Sequence, residues 1–316
     1  MTSVGSIVGG AFRLVRQNPL SVLIWGLLYA AALAGLMFAM RPFFLVYADM
    51  FSQFAAGAGK PPTPQDLQPY MARLQSAGGI LFLAELAVFA LIMMIFTATQ
   101  RAVLRPAERG FAYLRFGEDE LRQIGLGVFL SVCLSIAMVL AMIPLMIIVG
   151  IVFAITVAAT GSPLVGILLI AIAYFVLMGA TIYAEVRLSL AFPLTFLRRN
   201  FVIGEAWRLT RGRFWTLFGA YFVIWLFLMV LMVIFFGLAV GPFFSELAQN
   251  GTTPEAIQLA VQHHMERFAR IDAINVAFAL GGALLSGLGI ALFGGAVATA
   301  ARDLVPDDES APAPLV

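Results

Sequence analysis

The sequence has few charged residues, one cysteine and a single lysine. Charged residues make up 11% of the 316 residues and hydrophobic residues 62%, whereas soluble domains carry about 25% charged residues. This composition excludes a water-soluble globule, and it excludes a disordered chain, which requires low hydrophobicity and high charge. Cys133 alone cannot form an intrachain disulfide. The net charge of +2 is too small to favour nucleic-acid binding, so a polytopic membrane protein remains.

Sequence motifs typical of common enzymes are also missing. The chain contains no G-x-x-x-x-G-K-[ST], no G-x-S-x-G and no H-E-x-x-H, which would indicate nucleotide binding, a serine nucleophile and a zinc site. His263 and His264 are adjacent, and neighbouring side chains on a helix point about 100° apart, so the two are poorly placed to share one metal ion. We therefore expect a non-enzymatic protein with no cofactor and no metal.

Six segments are long and apolar enough to cross a bilayer core of about 30 Å. Each must be helical, because lipid offers no partner to backbone N–H and C=O groups. The sequence therefore predicts an all-α bundle of six transmembrane helices with interfacial amphipathic helices. The predicted spans are Leu20–Met40, Ile80–Gln100, Gly125–Ile151, Pro163–Tyr183, Phe214–Val240 and Asn275–Ala300.

The positions of the basic residues predict the orientation of these spans. If the amino terminus is cytoplasmic, 14 of the 19 basic residues fall on the inner side and five on the outer side. Short cytoplasmic loops carry an excess of arginine and lysine. We therefore expect a multi-pass protein of the bacterial inner membrane with both termini in the cytoplasm.

The sixth span is rich in small residues at four-residue spacing. Such stripes allow another helix to approach closely, and packing within the monomer is favoured over a homodimer contact. The residues predicted to pack in this way are Ala283, Gly287, Ala291 and Gly295.

Glu85 is the only carboxylate well inside a predicted span. An ionisable group at that depth is a candidate functional residue, because leaving it unpaired costs a few kcal/mol. The alternative, which is favoured here, is that Glu85 reaches the outer interface or forms a structural ion pair.

Two short stretches share the pattern A-aromatic-R-L-x-R, Ala11–Arg16 and Ala206–Arg211. Each precedes a span that leads to an outer loop with an amphipathic helix and then to a return span, so the chain is predicted to contain a parallel internal repeat. The predicted units are residues 1–106 (first repeat), 107–199 (inner loop and central hairpin), 200–306 (second repeat) and 307–316 (disordered tail).

These two stretches are predicted to be helices in the cytoplasmic interface. In the first, Val8, Phe12 and Val15 share an apolar face, opposite a face that contains Gly10 and Arg13. Arginines on such helices attract anionic headgroups, although they could also serve topology alone. The candidate contacts for lipid or another anionic ligand are Arg13, Arg16, Arg198, Arg199, Arg208, Arg211 and Arg213.

Glu185 and Arg187 follow the fourth span on the same predicted side. An ion pair with another loop is the simpler interpretation of these two residues. A binding site for a headgroup beside the arginines is the alternative.

Three stretches carry a resemblance to a known family. Glu205–Trp215, Gly10–Asn18 and the inner-loop segment that begins at Arg101–Pro106 resemble bacterial six-helix proteins similar to the membrane domain of some glycerophosphoryl diester phosphodiesterases. The resemblance implies an integral membrane role. It does not imply phosphodiesterase activity, which belongs to a separate soluble domain of that family.

Two functions fit the sequence. The first is a scaffold or accessory module that contacts membrane lipids, a protein partner or a second copy of the chain through its arginine-rich helices. The second is a small transporter or channel with a path between the repeats near Glu85, although few polar groups are available in the spans to line it.

Overall fold

The chain forms a bundle of helices with no strand among the residues that the structure describes. A computed structural model describes residues 2–56, 63–108, 110–162, 164–251, 253, 256–257, 259–261, 263 and 273–305. It is 90% helical, and six of its helices are long and apolar enough to cross a membrane, which confirms the predicted fold class. The helices are α1 (Val4–Gln17), α2 (Pro19–Ala56), α3 (Pro64–Leu104), α4 (Glu118–Thr160), α5 (Leu164–Leu188), α6 (Ala191–Arg198), α7 (Ile203–Leu209), α8 (Phe214–Asn250) and α9 (Ala273–Leu304), with a short 3₁₀ helix at Phe111–Tyr113.

Several helices extend well beyond the predicted spans. α2 has 38 residues, or about 57 Å at 1.5 Å per residue, about twice the thickness of a bilayer core. Residues that the sequence assigned to the first outer loop continue α2 and α3 instead. An ion pair between Arg73 and Asp49, 3.1 Å apart, joins these extensions. Thr63 caps α3, since its hydroxyl oxygen accepts from the backbone N–H of Asp66 over 3.4 Å. In return, the backbone N–H of Thr63 donates to the Asp66 carboxylate over 2.9 Å.

The outward sides of the long helices are apolar. Phe38, Phe82 and Leu168 have 74%, 64% and 62% of their surface exposed. Exposed large hydrophobic side chains along every span are what a helical bundle presents to lipid. The structure therefore supports a multi-pass membrane protein.

α9 lies at the centre of the bundle and packs against α1, α2, α3 and α8. Its small residues make this possible. A Cβ on Gly287 would lie 2.5 Å from the Cα of Gly26 in α2, and a Cβ on Gly295 would lie 3.2 Å from the Cα of Ala11 in α1. Ala283 and Ala291 are buried as well. The predicted stripe therefore packs against helices of the same chain.

α1 packs with a different face from the one expected. Its buried residues are Ile7, Gly10, Ala11 and Leu14, whereas Phe12 stays partly exposed with its ring 5.1 Å from that of Phe227. The reason is the close approach to α9, where Gly10 lies directly against Thr299. The absence of a side chain at Gly10 allows this close approach, and the apolar stripe of Ile7, Ala11 and Leu14 is buried beside it.

The two A-aromatic-R-L-x-R stretches have similar exposure but different neighbours. Ala11 and Ala206 are fully buried, and Phe12 and Trp207 are 37% and 41% exposed. α1 packs on α9 and α8, whereas α7 packs on α5 and α6. The internal repeat therefore stays a prediction, as do the domain boundaries that follow from it. The predicted disordered tail lies outside the described residues.

Most of the arginines gather at one end of the bundle. The carboxyl ends of α3, α5 and α9 meet the amino ends of α4 and α8 there, because consecutive spans run in opposite directions. α1, α6 and α7 pack at this same end. This end therefore holds the candidate site.

Candidate functional site

One group of arginines at this end is neutralised by carboxylates. Arg101 of α3 and Glu120 of α4 each have only 2% of the side chain exposed, and Nη2 of Arg101 lies 2.5 Å from Oε1 of Glu120. Arg101 also donates to the carbonyl of Tyr113 over 2.6 Å. Glu120 accepts a hydrogen bond from the backbone N–H of Gly117 over 3.1 Å and so caps α4. The buried charges are therefore paired and hydrogen-bonded.

Arg105 extends this pairing to α6. Its guanidinium lies 4.4 Å from the centre of the Phe196 ring and donates to the Phe196 carbonyl over 3.1 Å. Asp119 and Glu108 lie 3.5 and 3.7 Å from it. We name the arginines of this region the paired cluster, and every one that the structure describes contacts a carboxylate: Arg101, Arg105, Arg115 and Arg122.

Uncharged side chains complete the framework around the paired cluster. Trp25 of α2 is fully buried, and its indole Nε1–H donates to the carbonyl of Ala112 over 2.9 Å. The amide of Gln123 donates to the carbonyl of Phe192 over 2.7 Å and to the side chain of Gln100 over 3.2 Å. α2, α3, α4 and α6 are thus connected through buried polar contacts.

This framework was not predicted from the sequence. Arg101 and Arg105 counted there as basic residues of the first inner loop, and no partner was assigned to them, to Glu120 or to Gln123. A signal was available, because Glu118, Asp119 and Glu120 form an acidic first turn of α4 and acidic residues are favoured there. Arg122 of α4 itself contacts Glu118 and Asp119, but Arg101 and Arg105, which pair with Glu120 and Asp119, come from α3 and the residue after it.

A second group of arginines at the same end has no carboxylate partner among the described residues. We name it the open basic face. Its members are exposed: Arg13, Arg16, Arg199, Arg208, Arg211 and Arg213. Six of the seven arginines predicted from the sequence belong to it. The seventh, Arg198, forms an ion pair with Glu205 over 3.2 Å.

A groove opens within this face, between the end of α5, α7 and the start of α8. Its volume is about 450 Å³. Arg187 contributes to the lining, although only 5% of this residue is exposed. Its guanidinium lies 4.6 Å from the centre of the Trp207 ring. The lining residues are Tyr183, Arg187, Gly204, Trp207, Arg208, Arg211, Gly212 and Phe214.

The ion pair expected for Glu185 and Arg187 does not occur among the residues that the structure describes. Glu185 is exposed, and Arg187 meets an aromatic ring instead of a carboxylate. Gly212 has a φ of +76°, a conformation that glycine adopts readily. This left-handed residue turns the chain from α7 into α8 and so closes one side of the groove.

The remaining predicted residues lie away from this groove. Glu85 is on the exposed side of α3, so the transport path near it stays a prediction. His263 contacts Glu246, with Nδ1 2.7 Å from Oε1, and His264 lies outside the described residues. Within the described part of the chain, no group of three or more His, Cys, Asp or Glu residues could hold a metal ion.

No protein-family model, curated protein or solved structure matches this chain. The resemblance to the phosphodiesterase-associated membrane domain therefore stays an expectation from the sequence.

Proposed function

We propose that the chain is a non-enzymatic module of the bacterial inner membrane that holds anionic lipid headgroups against its open basic face. The observation that carries the proposal is that no described carboxylate contacts the exposed arginines, in contrast to the paired cluster at the same end of the bundle. An exposed guanidinium near the surface of an anionic membrane gains about 1 kcal/mol from the lipid charge.

The surroundings of these arginines support a position at the membrane interface. Trp215 is 77% exposed and Trp207 41%, and both lie beside arginines of the open basic face in the sequence. Tryptophan is enriched at headgroup depth. The excess of arginine at this end supports a cytoplasmic location for it, and so for both termini.

The test is to remove three positive charges from the face and measure lipid binding. We expect the triple variant R208Q/R211Q/R213Q to bind dioctanoyl phosphatidylglycerol more weakly than the wild type. The loss should be at most about 150-fold, because each arginine would contribute no more than the 1 kcal/mol or so that it gains at an anionic membrane surface. Binding to the purified protein in neutral detergent can be followed by tryptophan fluorescence. Raising the ionic strength should weaken wild-type binding, because salt screens exposed charges.

The matched control is R115Q/R122Q, which removes charges from the paired cluster at the same end of the bundle. It should bind phosphatidylglycerol as the wild type does. Equal binding by the triple variant and the wild type would contradict the proposal. If this face binds a protein partner and shows no preference among lipids, its ligand is a protein and the proposal is wrong.

A further inference from the structure

Arg187 is a buried cation for which the described residues provide no counter-charge. Only 5% of the residue is exposed, and its guanidinium has no ion pair and no hydrogen bond with a described residue. Its sealed Nε does not distinguish it, because Nε of Arg101 also lacks a hydrogen bond. Burying a charge is unfavourable unless the charge is paired and hydrogen-bonded. The two terminal nitrogens of Arg101 meet that requirement elsewhere, through Glu120 and the carbonyl of Tyr113. No described residue supplies a corresponding partner to Arg187.

The guanidinium of Arg187 is nevertheless held in place. Trp207 covers one side of it at 4.6 Å, a distance at which the ring attracts a cation. The ring of Trp207 contacts that of Tyr183 with their centres 6.1 Å apart, and Tyr183 in turn contacts Phe214 at 5.0 Å. The hydroxyl of Thr210 donates to the carbonyl of Arg187 over 3.0 Å and so joins α7 to the end of α5.

Two further arginines line the same groove. Arg208 and Arg211 are exposed, and neither contacts a carboxylate among the described residues. The groove of about 450 Å³ lies within the range of small-molecule sites. Three arginines line this one groove, so its charge favours an anion, and the planar fork of arginine matches the geometry of phosphate oxygens.

We propose that this groove binds a single phosphate group, with Arg187 as the fixed donor and with Arg208 and Arg211 supplying flanking charge. This inference rests on the proposed function, because it assigns one defined site within the open basic face. The phosphate could belong to an anionic phospholipid or be a free ion, and both sources present the same oxygens to the arginines.

The experiment measures the binding of three probes to the purified full-length protein in neutral detergent. The probes are dioctanoyl phosphatidylglycerol, dioctanoyl phosphatidylcholine and inorganic phosphate, and tryptophan fluorescence reports binding beside Trp207. We expect R187Q to weaken binding of the preferred phosphate probe about tenfold or more, as the loss of a charge-assisted hydrogen bond implies. R187K should also bind less tightly, because lysine lacks the planar fork.

Two further variants keep the result interpretable. R208Q changes an exposed residue and should lower the affinity even if R187Q fails to fold. R115Q removes a partly exposed arginine of the paired cluster and should leave the affinity unchanged. A folded R187Q and a folded R208Q that both bind every probe as the wild type does would overturn the site.

The probes also distinguish a lipid phosphate from a free phosphate ion. They further distinguish failure of the proposed site from failure of the proposed function. Arg187-dependent binding of phosphatidylglycerol assigns the site to lipid. Arg187-dependent binding of inorganic phosphate without any lipid preference supports the site but contradicts the proposed function. A wild-type preference for phosphatidylglycerol that persists in R187Q and R208Q supports the proposed function and contradicts the site.

Discussion

The paired cluster and the open basic face use the same residue at the same end of one bundle, but in opposite ways. In the paired cluster, carboxylates from the α3–α4 connection and the first turn of α4 contact each described arginine. In the open basic face, the exposed arginines of α1 and of the segment that follows α5 have no such partner among the described residues. The comparison shows that a shared position at one end of the bundle does not decide whether an arginine is neutralised; a carboxylate within reach does.

The contrast between arginines with and without a carboxylate partner is greatest where the arginine is buried. Arg101 and Arg187 are both almost fully buried, with 2% and 5% exposed. Arg101 is paired with Glu120 and hydrogen-bonded to the carbonyl of Tyr113, and these contacts connect α3 to α4. Arg187 rests on Trp207 and faces a groove. We infer that the first residue stabilises the fold and that the second is available for a ligand.

The largest effect is expected from breaking the buried ion pair. R101Q leaves the Glu120 carboxylate buried without its counter-charge, so the free energy of unfolding should fall by about 3–5 kcal/mol. Thermal and denaturant unfolding in detergent, followed by circular dichroism, will measure the loss. R187Q is the matched variant at a buried arginine that has no carboxylate partner among the described residues, and it should change this free energy far less.

A double variant separates pairing from packing. In R101M/E120L both charges are replaced by apolar side chains, which is often neutral or stabilising for a buried pair. The double variant should therefore be more stable than R101Q alone. If R101Q unfolds no more easily than R187Q, the distinction between a buried arginine with a carboxylate partner and one without is wrong.

An intermediate loss of stability is expected when Trp25 of α2 no longer donates its hydrogen bond to the α3–α4 connection. W25F removes the donor to the Ala112 carbonyl and leaves that buried acceptor unsatisfied, so stability should fall by about 1–3 kcal/mol. W225F makes the same chemical change at a residue that is 49% exposed, and it should have little effect. Equal losses in the two variants would show that the hydrogen bond contributes nothing.

The smallest effect is expected at the edge of the paired cluster. Arg122 contacts Glu118 and Asp119 within the first turns of α4, and its side chain is 26% exposed. R122Q should lower the free energy of unfolding by no more than about 1 kcal/mol. A loss as large as that of R101Q would mean that exposure does not separate the strong pairs from the weak ones.

The sequence anticipated the fold better than it anticipated the site. Apolar runs of about 20 residues predicted six membrane-spanning helices correctly, because a span needs a minimum apolar length. The ends of those helices were not predicted, since α2 continues through Arg41 and Pro42 to Ala56. Once part of a helix projects beyond the lipid, hydrophobicity no longer marks where it ends.

The arginines of the open basic face could be named as candidates from the sequence because few acidic residues lie near them along the chain. Between Arg198 and Arg213 only Glu205 is acidic. Arg187 was considered with Glu185, but the structure places it beside Trp207, 20 residues further along the chain. The pairing of Arg101 with Glu120 spans 19 residues and two helices, and no local pattern indicates it.

Composition and hydropathy thus determined that this chain is a six-span helical membrane protein, because the transfer of a segment into lipid depends on that segment alone. The tertiary structure alone decided which arginines are neutralised and which are open to a ligand. An arginine is neutralised when a carboxylate lies within about 4 Å of its guanidinium. Residues on different helices come that close only when the helices pack into the bundle.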